Sequence, residues 1–191
     1  LLVRGIQGHT AYPQLADNPL HHLVRMLAPL VAEPLDAGNE HFPASSLQIT
    51  TIDVDNPVSN VIPAEGHAAF NIRFNNLHSS GDIEAWVRER LDRVGADYDL
   101  SFRVSGEAFL TPPGPLSELI AGCVQKITGQ AIDLSTSGGT SDARFIKDYC
   151  PVAEFGLKNA TAHKVDEAVA LADLRTLTDI YQEILGSYFA R

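Results

Sequence analysis

Apolar positions in the first 110 residues alternate between two periods. Leu1-Leu2-Val3-Arg4-Gly5-Ile6 reads as a strand entered partway along. Asn18-Pro19 follows as an N-cap with proline at the first helical position. Leu20, Leu23, Val24, Leu27, Leu30 and Val31 then recur at helical spacing, with Pro29 and Pro34 expected to end that helix. Leu47 to Val54 is rich in Ile, Val and Thr, as strands are. Between His67 and Phe74 the alternation is strict, with Phe70, Ile72 and Phe74 on one face and Asn71 and Arg73 on the other. A second helix after Ser79-Ser80 buries Ile83, Trp86, Val87, Leu91 and Val94, and Tyr98, Leu100, Phe102 and Val104 alternate as a last strand. The order β-α-β-β-α-β predicts a split, ferredoxin-like sandwich: four antiparallel strands with two helices on one face. Its exposed sheet edge invites pairing with another copy.

Thr111-Pro-Pro-Gly-Pro115 is a stiff breaker and marks the expected domain boundary, 1–110 against 111–191. Beyond it come a helix from Leu116 to Thr128 ended by Gly129, a strand from Ile132 to Ser135 and a helix over about 141–148. A strand from Val152 to Phe155 and a long helix carrying Leu174, Leu177, Tyr181, Ile184, Leu185 and Tyr188 complete the chain. This rhythm predicts α/β architecture with parallel pairing. Two strands make too small a sheet to stand alone. With no initiator Met and an opening inside a strand, the chain is expected to be a fragment of a longer protein.

The net charge of −10 argues against nucleic acid and against an anionic membrane surface. No apolar run approaches the roughly 20 residues that span a bilayer. Cys123 and Cys150 are expected to be buried free thiols, which places the protein in a reducing compartment, the cytoplasm.

Five segments carry candidate chemistry. In Gly5-Ile-Gln-Gly8-His9-Thr-Ala-Tyr12-Pro13, two glycines let the backbone approach closely and hold His9 at a loop edge; alone, His9 also reads as a turn residue bonding a carbonyl. Ser137-Gly138-Gly139-Thr140-Ser141-Asp142 links a predicted strand to a helix start, where converging N–H groups bind anions, with a plain N-cap as the alternative. Arg73 is able to clamp a carboxylate through two parallel hydrogen bonds, or is a surface arginine. Asn60 lies in the proline-bracketed loop Pro57-Val-Ser-Asn60-Val-Ile-Pro63. Asn159-Ala-Thr-Ala-His163-Lys-Val-Asp-Glu167 places His163 in a polar loop between a predicted strand and helix, the position of a metal-binding imidazole. No His-x-Asp, Glu-Glu, His-x-x-His or Cys-x-x-Cys accompanies it, so a metal cage does not close from these residues alone. His21, His22, His41, His67 and His78 have no ligand-spaced partners and are expected in surface or satisfied roles.

Taken together in this order and spacing, Gly8-His9-Thr-Ala-Tyr12-Pro13, Ser59-Asn60-Val-Ile-Pro63, Arg73, Gly138-Gly139-Thr140-Ser141-Asp142 and Asn159-Ala-Thr-Ala-His163 resemble the di-zinc M20 aminoacylase/carboxypeptidase family. The resemblance runs from Gly5 almost to the end. It implies a dimerisation domain at 1–110 inserted into a three-layer α/β zinc-hydrolase domain, of which 111–191 is the C-terminal part. It implies two zinc ions per site, with cobalt as a substitute, and His163 as a ligand of one of them. His9 is implied to reach into the neighbouring subunit of a homodimer and stabilise a tetrahedral oxyanion, with Tyr12 and Asn60 beside it. Arg73, Gly139, Thr140 and Asn159 are implied to hold the carboxylate and acyl parts of a small dicarboxylate substrate. The wording of Ser135 to Phe145 and of His163-Lys-Val-Asp-Glu167 points within the family to hydrolysis of an N-succinyl diaminodicarboxylate in lysine and cell-wall precursor synthesis, the isolated chain being inactive. The alternatives are another deacylase of the family, or a non-catalytic dimerisation module.

Overall fold

In this computed structural model, which describes residues 1–139, 141–158 and 160–190, the chain divides into two units, Leu1–Phe109 and Leu110–Arg191. The first unit contains strands β1 (Leu2–Arg4), β2 (Gly8–His9), β3 (Ser46–Asp53), β4 (Val61–Ile62), β5 (Glu65–Arg73) and β6 (Tyr98–Asp99), with helices α1 (Pro19–Ala32) and α2 (Ser80–Asp92). Its main sheet has the order β3-β5-β1-β6, every pair antiparallel. This is the split arrangement: each helix connects two strands that another strand separates. Val3, Leu23, Met26, Leu27, Leu30, Ala68, Val87 and Leu91 form the core between sheet and helices. Fully burying a Leu or Met side chain contributes roughly 1.5–3 kcal/mol.

Local chemistry sets the element ends. The Asn18 side chain accepts the Leu20 N–H at 3.0 Å, with Pro19 as the first residue of α1. Pro29 does not stop this helix, contrary to the sequence expectation; α1 continues to Ala32. The lost N–H costs about 3 kcal/mol, and burial of Met26, Leu27 and Leu30 on either side of it offsets that cost. The stop comes at Glu33, where Pro34 pushes the preceding residue out of the helical region. A reciprocal capping box starts α2: Ser79 Oγ accepts the Asp82 N–H, and the Asp82 carboxylate accepts the Ser79 N–H.

The last strand is shorter than its alternation predicts. Only Tyr98 and Asp99 pair with β1, because β1 is three residues long and offers no further ladder. Leu100 and Phe102 still pack on the core, whereas Val104 is exposed. Phe74 falls one residue beyond β5.

In the second unit, α3 (Pro115–Thr128) and α5 (Leu171–Phe189) pack through Ile120, Val124 and Ile180. Gly129 ends α3 at φ 73°, a left-handed cap that favours glycine. The expected helix over 141–148 is reduced to α4 (Ala143–Ile146). The expected strands at 132–135 and 152–155 are not formed. Ile132 and Phe155 instead dock on the helix pair, and the Tyr181 hydroxyl donates to the Phe155 carbonyl. A strand exists through its ladder, and among the described residues neither segment finds one. Cys123 is buried, but Cys150 is exposed in the turn that follows α4, correcting the expectation of two buried thiols; both are free.

Candidate functional site

The segment from Ile6 to Asp17 is a closed loop. Ile6 and Asp17 exchange both backbone hydrogen bonds, at 2.8 and 3.0 Å. Gly5 has to be glycine for this closure, since a Cβ there would lie 2.3 Å from the Asp17 carbonyl oxygen. Within the loop, β2 pairs with β4, setting Gly8 opposite Ile62 and His9 opposite Val61. The Thr10 N–H donates to the Asn60 carbonyl at 3.0 Å. Tyr12 N–H donates to the His9 carbonyl at 2.9 Å, closing a turn, and a short 3-10 helix, Pro13–Leu15, follows. The Tyr12 ring meets the His9 ring edge-on, with centroids 5.7 Å apart. His9, Tyr12 and Asn60 therefore sit together on one exposed ribbon. The His9 ring is oriented locally: its Nδ1 accepts the Ala11 N–H at 3.0 Å.

Arg73 does not join them. β4 leads through Pro63-Ala64 into the start of β5, whereas Arg73 is the last residue of that strand, opposite Ser46. Eight residue steps along the strand amount to roughly 26 Å.

What anchors the Arg73 end was missed in the sequence. Asp36, with its side chain 7% exposed, accepts the Gly38 N–H (2.7 Å), the Ser45 N–H (3.1 Å) and the Asn75 amide (2.8 Å). His78 Nε2 lies 3.1 Å from its other oxygen. Asn75, itself 3% exposed, also donates to the Pro43 carbonyl and accepts the Leu77 N–H. Burial alone would raise the Asp36 pKa, but hydrogen bonds from the Ser45 hydroxyl and N–H, the Gly38 N–H and the Asn75 amide outweigh it and lower the pKa to about 2. The sequence signal was only Asp36-Ala-Gly38, a carboxylate two residues before a glycine at φ 77°. His22 is likewise satisfied, between Asp17 (2.7 Å) and Arg25 (2.9 Å).

In the second unit, His163 is exposed at the tip of a loop and has φ 60°; Asp166 has the same φ. Left-handed backbone at non-glycine residues costs of order 1–3 kcal/mol and persists where surrounding contacts enforce it. Those contacts are visible: Thr161 Oγ1 donates to the Ala168 carbonyl (2.7 Å) and accepts the Ala168 N–H (3.1 Å), and the Glu167 carboxylate accepts the His163 N–H at 3.1 Å. Gly138 has φ 114° and Gly139 is exposed. The Ser141 N–H and hydroxyl both donate to Glu154, so a carboxylate of the chain itself occupies donors that the sequence offered to an anion. Thr140 and Asn159 lie outside the described residues. Among the described residues no group of three or more His, Cys, Asp or Glu is arranged to hold a metal ion. No helix among them is long and apolar enough to cross a membrane.

The split sheet and this ribbon place the first unit in a peptidase-like family, and residues 1–99 match the M20 family model described as "Peptidase dimerisation domain". The chain belongs to the M20 family. It is 58% identical, over all of its length and 49% of the relative's, to a protein of Rhodospirillum centenum named succinyl-diaminopimelate desuccinylase. A protein of Rhodospirillum rubrum with the same name is 56% identical over 97% of this chain and 48% of its own length. The chain thus spans about half the length of these curated relatives. Among solved structures, an M20 family metallo-carboxypeptidase of Sulfolobus solfataricus superposes with a TM-score of 0.62 at 11% identity, over 96% of this chain and 59% of the other, a likeness of fold.

Proposed function

We propose that this chain is part of a zinc-dependent amidohydrolase that releases succinate from N-succinyl-LL-2,6-diaminopimelate, in the cytoplasm, as a homodimer joined through its first unit. The observation that carries this reading is the 58% identity across the whole chain with a relative named for that activity. The exposed ribbon gives the reading a chemical face. His9 is assigned as hydrogen-bond donor to the oxygen that becomes negative when the amide carbonyl is attacked; one such donor is worth about 10²–10³ in kcat. Tyr12 and Asn60 flank it. Arg73, Gly139, Thr140 and Asn159 are assigned to the carboxylate and acyl groups of the substrate, Arg73 through a two-pronged clamp.

His163 would hold one zinc, as an imidazole on a braced, exposed loop. One imidazole does not make a catalytic zinc site, which takes three protein ligands. We assign the remaining ligands and the general base to the half of the relatives' length that this chain does not cover. A zinc bound there would supply polarisation of the amide carbonyl and a water of lowered pKa.

The test is a chimera in which this chain replaces the matching half of the Rhodospirillum centenum relative. It is expected to release succinate from the succinyl substrate and to act much more slowly on the acetyl analogue. A chimera that folds, dimerises and binds zinc but is inert on the succinyl substrate overturns the reading, and preference for the acetyl analogue reassigns it to another deacylase of the family.

A further inference from the structure

The hydrogen bond that the His9 ring makes with the Ala11 backbone determines what the ring can do. A neutral imidazole has one N–H and one lone pair, and which nitrogen holds which is set by its neighbours. The Ala11 N–H is aimed at Nδ1 from 3.0 Å. The backbone around it is pinned on three sides: His9 opposite Val61, Thr10 N–H on Asn60, and Tyr12 N–H on the His9 carbonyl. A hydrogen on Nδ1 would face the amide hydrogen, so the lone pair must be there. This is a histidine imitating the side-chain-to-backbone turn that Asp and Asn make two residues on.

We propose that the Ala11 N–H is a positioning group that locks His9 in the tautomer carrying its hydrogen on Nε2, so that the ring presents a donor, and no acceptor, to a substrate oxygen. The group facing Nε2 must therefore be a hydrogen-bond acceptor, which suits the carbonyl oxygen of an amide under attack and not a group that gives its proton to the ring. This rests on the proposed function for its substrate, but not for its geometry. The lock also removes His9 from the general bases, because its only lone pair is turned inward onto the chain.

The experiment is nitrogen NMR on the 15N-labelled chain with the His9 ring neutral, its signals assigned by their loss in His9→Gln. The expected result is a protonated-type resonance at Nε2, a lone-pair-type resonance at Nδ1, and a scalar coupling across the hydrogen bond from the Ala11 amide to Nδ1. A hydrogen on Nδ1, or averaged tautomers without that coupling, overturns the proposal. An inert chimera with the Nε2–H tautomer intact would count against the proposed function alone. An active chimera whose His9 carries its hydrogen on Nδ1 would count against this inference alone.

Discussion

Replacing Asp36 with Asn removes one charge and little volume from the knot that ties the loop after α1 to the exit of β5. The fall of the carboxyl from its ordinary 3.8 to about 2 corresponds, at ~1.36 kcal/mol per pH unit, to about 2.4 kcal/mol of stability. Partial solvent screening reduces the expectation to roughly 1–2 kcal/mol. The folded pKa lies below the unfolded one, so this contribution is fully present above pH ~4–5 and is lost as pH falls through ~2. The difference between the parent chain and Asp36→Asn should therefore be about 1–2 kcal/mol at pH 5 and shrink toward zero near pH 2. Trp86 is the only tryptophan and packs against the first unit's core, so its fluorescence during urea unfolding reports on that unit. A difference that stays constant down to pH 2, or is absent at pH 5, would refute the account of Asp36 as a charge held by four donors.

In the chimeric enzyme, His9→Ala should lower kcat by about 10²–10³ with zinc content unchanged; loss of metal would mean that His9 has been given the wrong role. His163→Ala should do the opposite to the metal, lowering bound zinc as read by atomic absorption, and full retention would exclude it as a ligand. Arg73→Lys keeps the charge but loses the planar fork, so KM should rise several-fold, and an unchanged KM argues against a two-pronged carboxylate clamp. Gly5→Ala forces a methyl against the Asp17 carbonyl and should cost about 1–3 kcal/mol; a neutral result in urea unfolding would show that the loop closure is looser than drawn.

The first unit was legible because its signals are local. Asn18-Pro19 and Ser79 mark helix starts by their own hydrogen-bonding chemistry, and the period-2 face of β5 recurs as buried Gly66 and Ala68 and half-buried Phe70 and Ile72. Misread features depended on distant partners. The length of β6 is set by β1, about 95 residues earlier. Pro29 survives inside α1 because of burial, which no local pattern reports. The apolar runs at 132–135 and 152–155 have strand composition but no ladder, and composition alone does not supply one. Of the candidate site, the grouping of His9 with Asn60 came only from the family resemblance and not from any local pattern, since about 50 residues separate them and the β2–β4 register is what brings them together. Asp36 and Asn75 were invisible for the same reason: each is an ordinary loop residue until the chain brings them within 2.8 Å.

The separation within the first unit bears on how the proposed enzyme would be assembled. The ribbon with His9 leads through β4 into the start of β5, and Arg73 closes the far end of that strand, whose eight residue steps span roughly 26 Å. A hydrogen bond from His9 to a scissile carbonyl and a clamp from Arg73 on a carboxylate of the same small substrate cannot both be made by one copy of this rigid sheet. Two copies related by a twofold axis that carries the His9 end of one sheet toward the Arg73 end of the other would resolve the conflict. Heterodimers are the decisive measurement. A His9→Ala subunit paired with an Arg73→Ala subunit, each variant being nearly inert as a homodimer, should regain about half of the parent activity, one site in two being whole. If both groups served the same subunit, every site in that mixture would lack one of them and no activity would return.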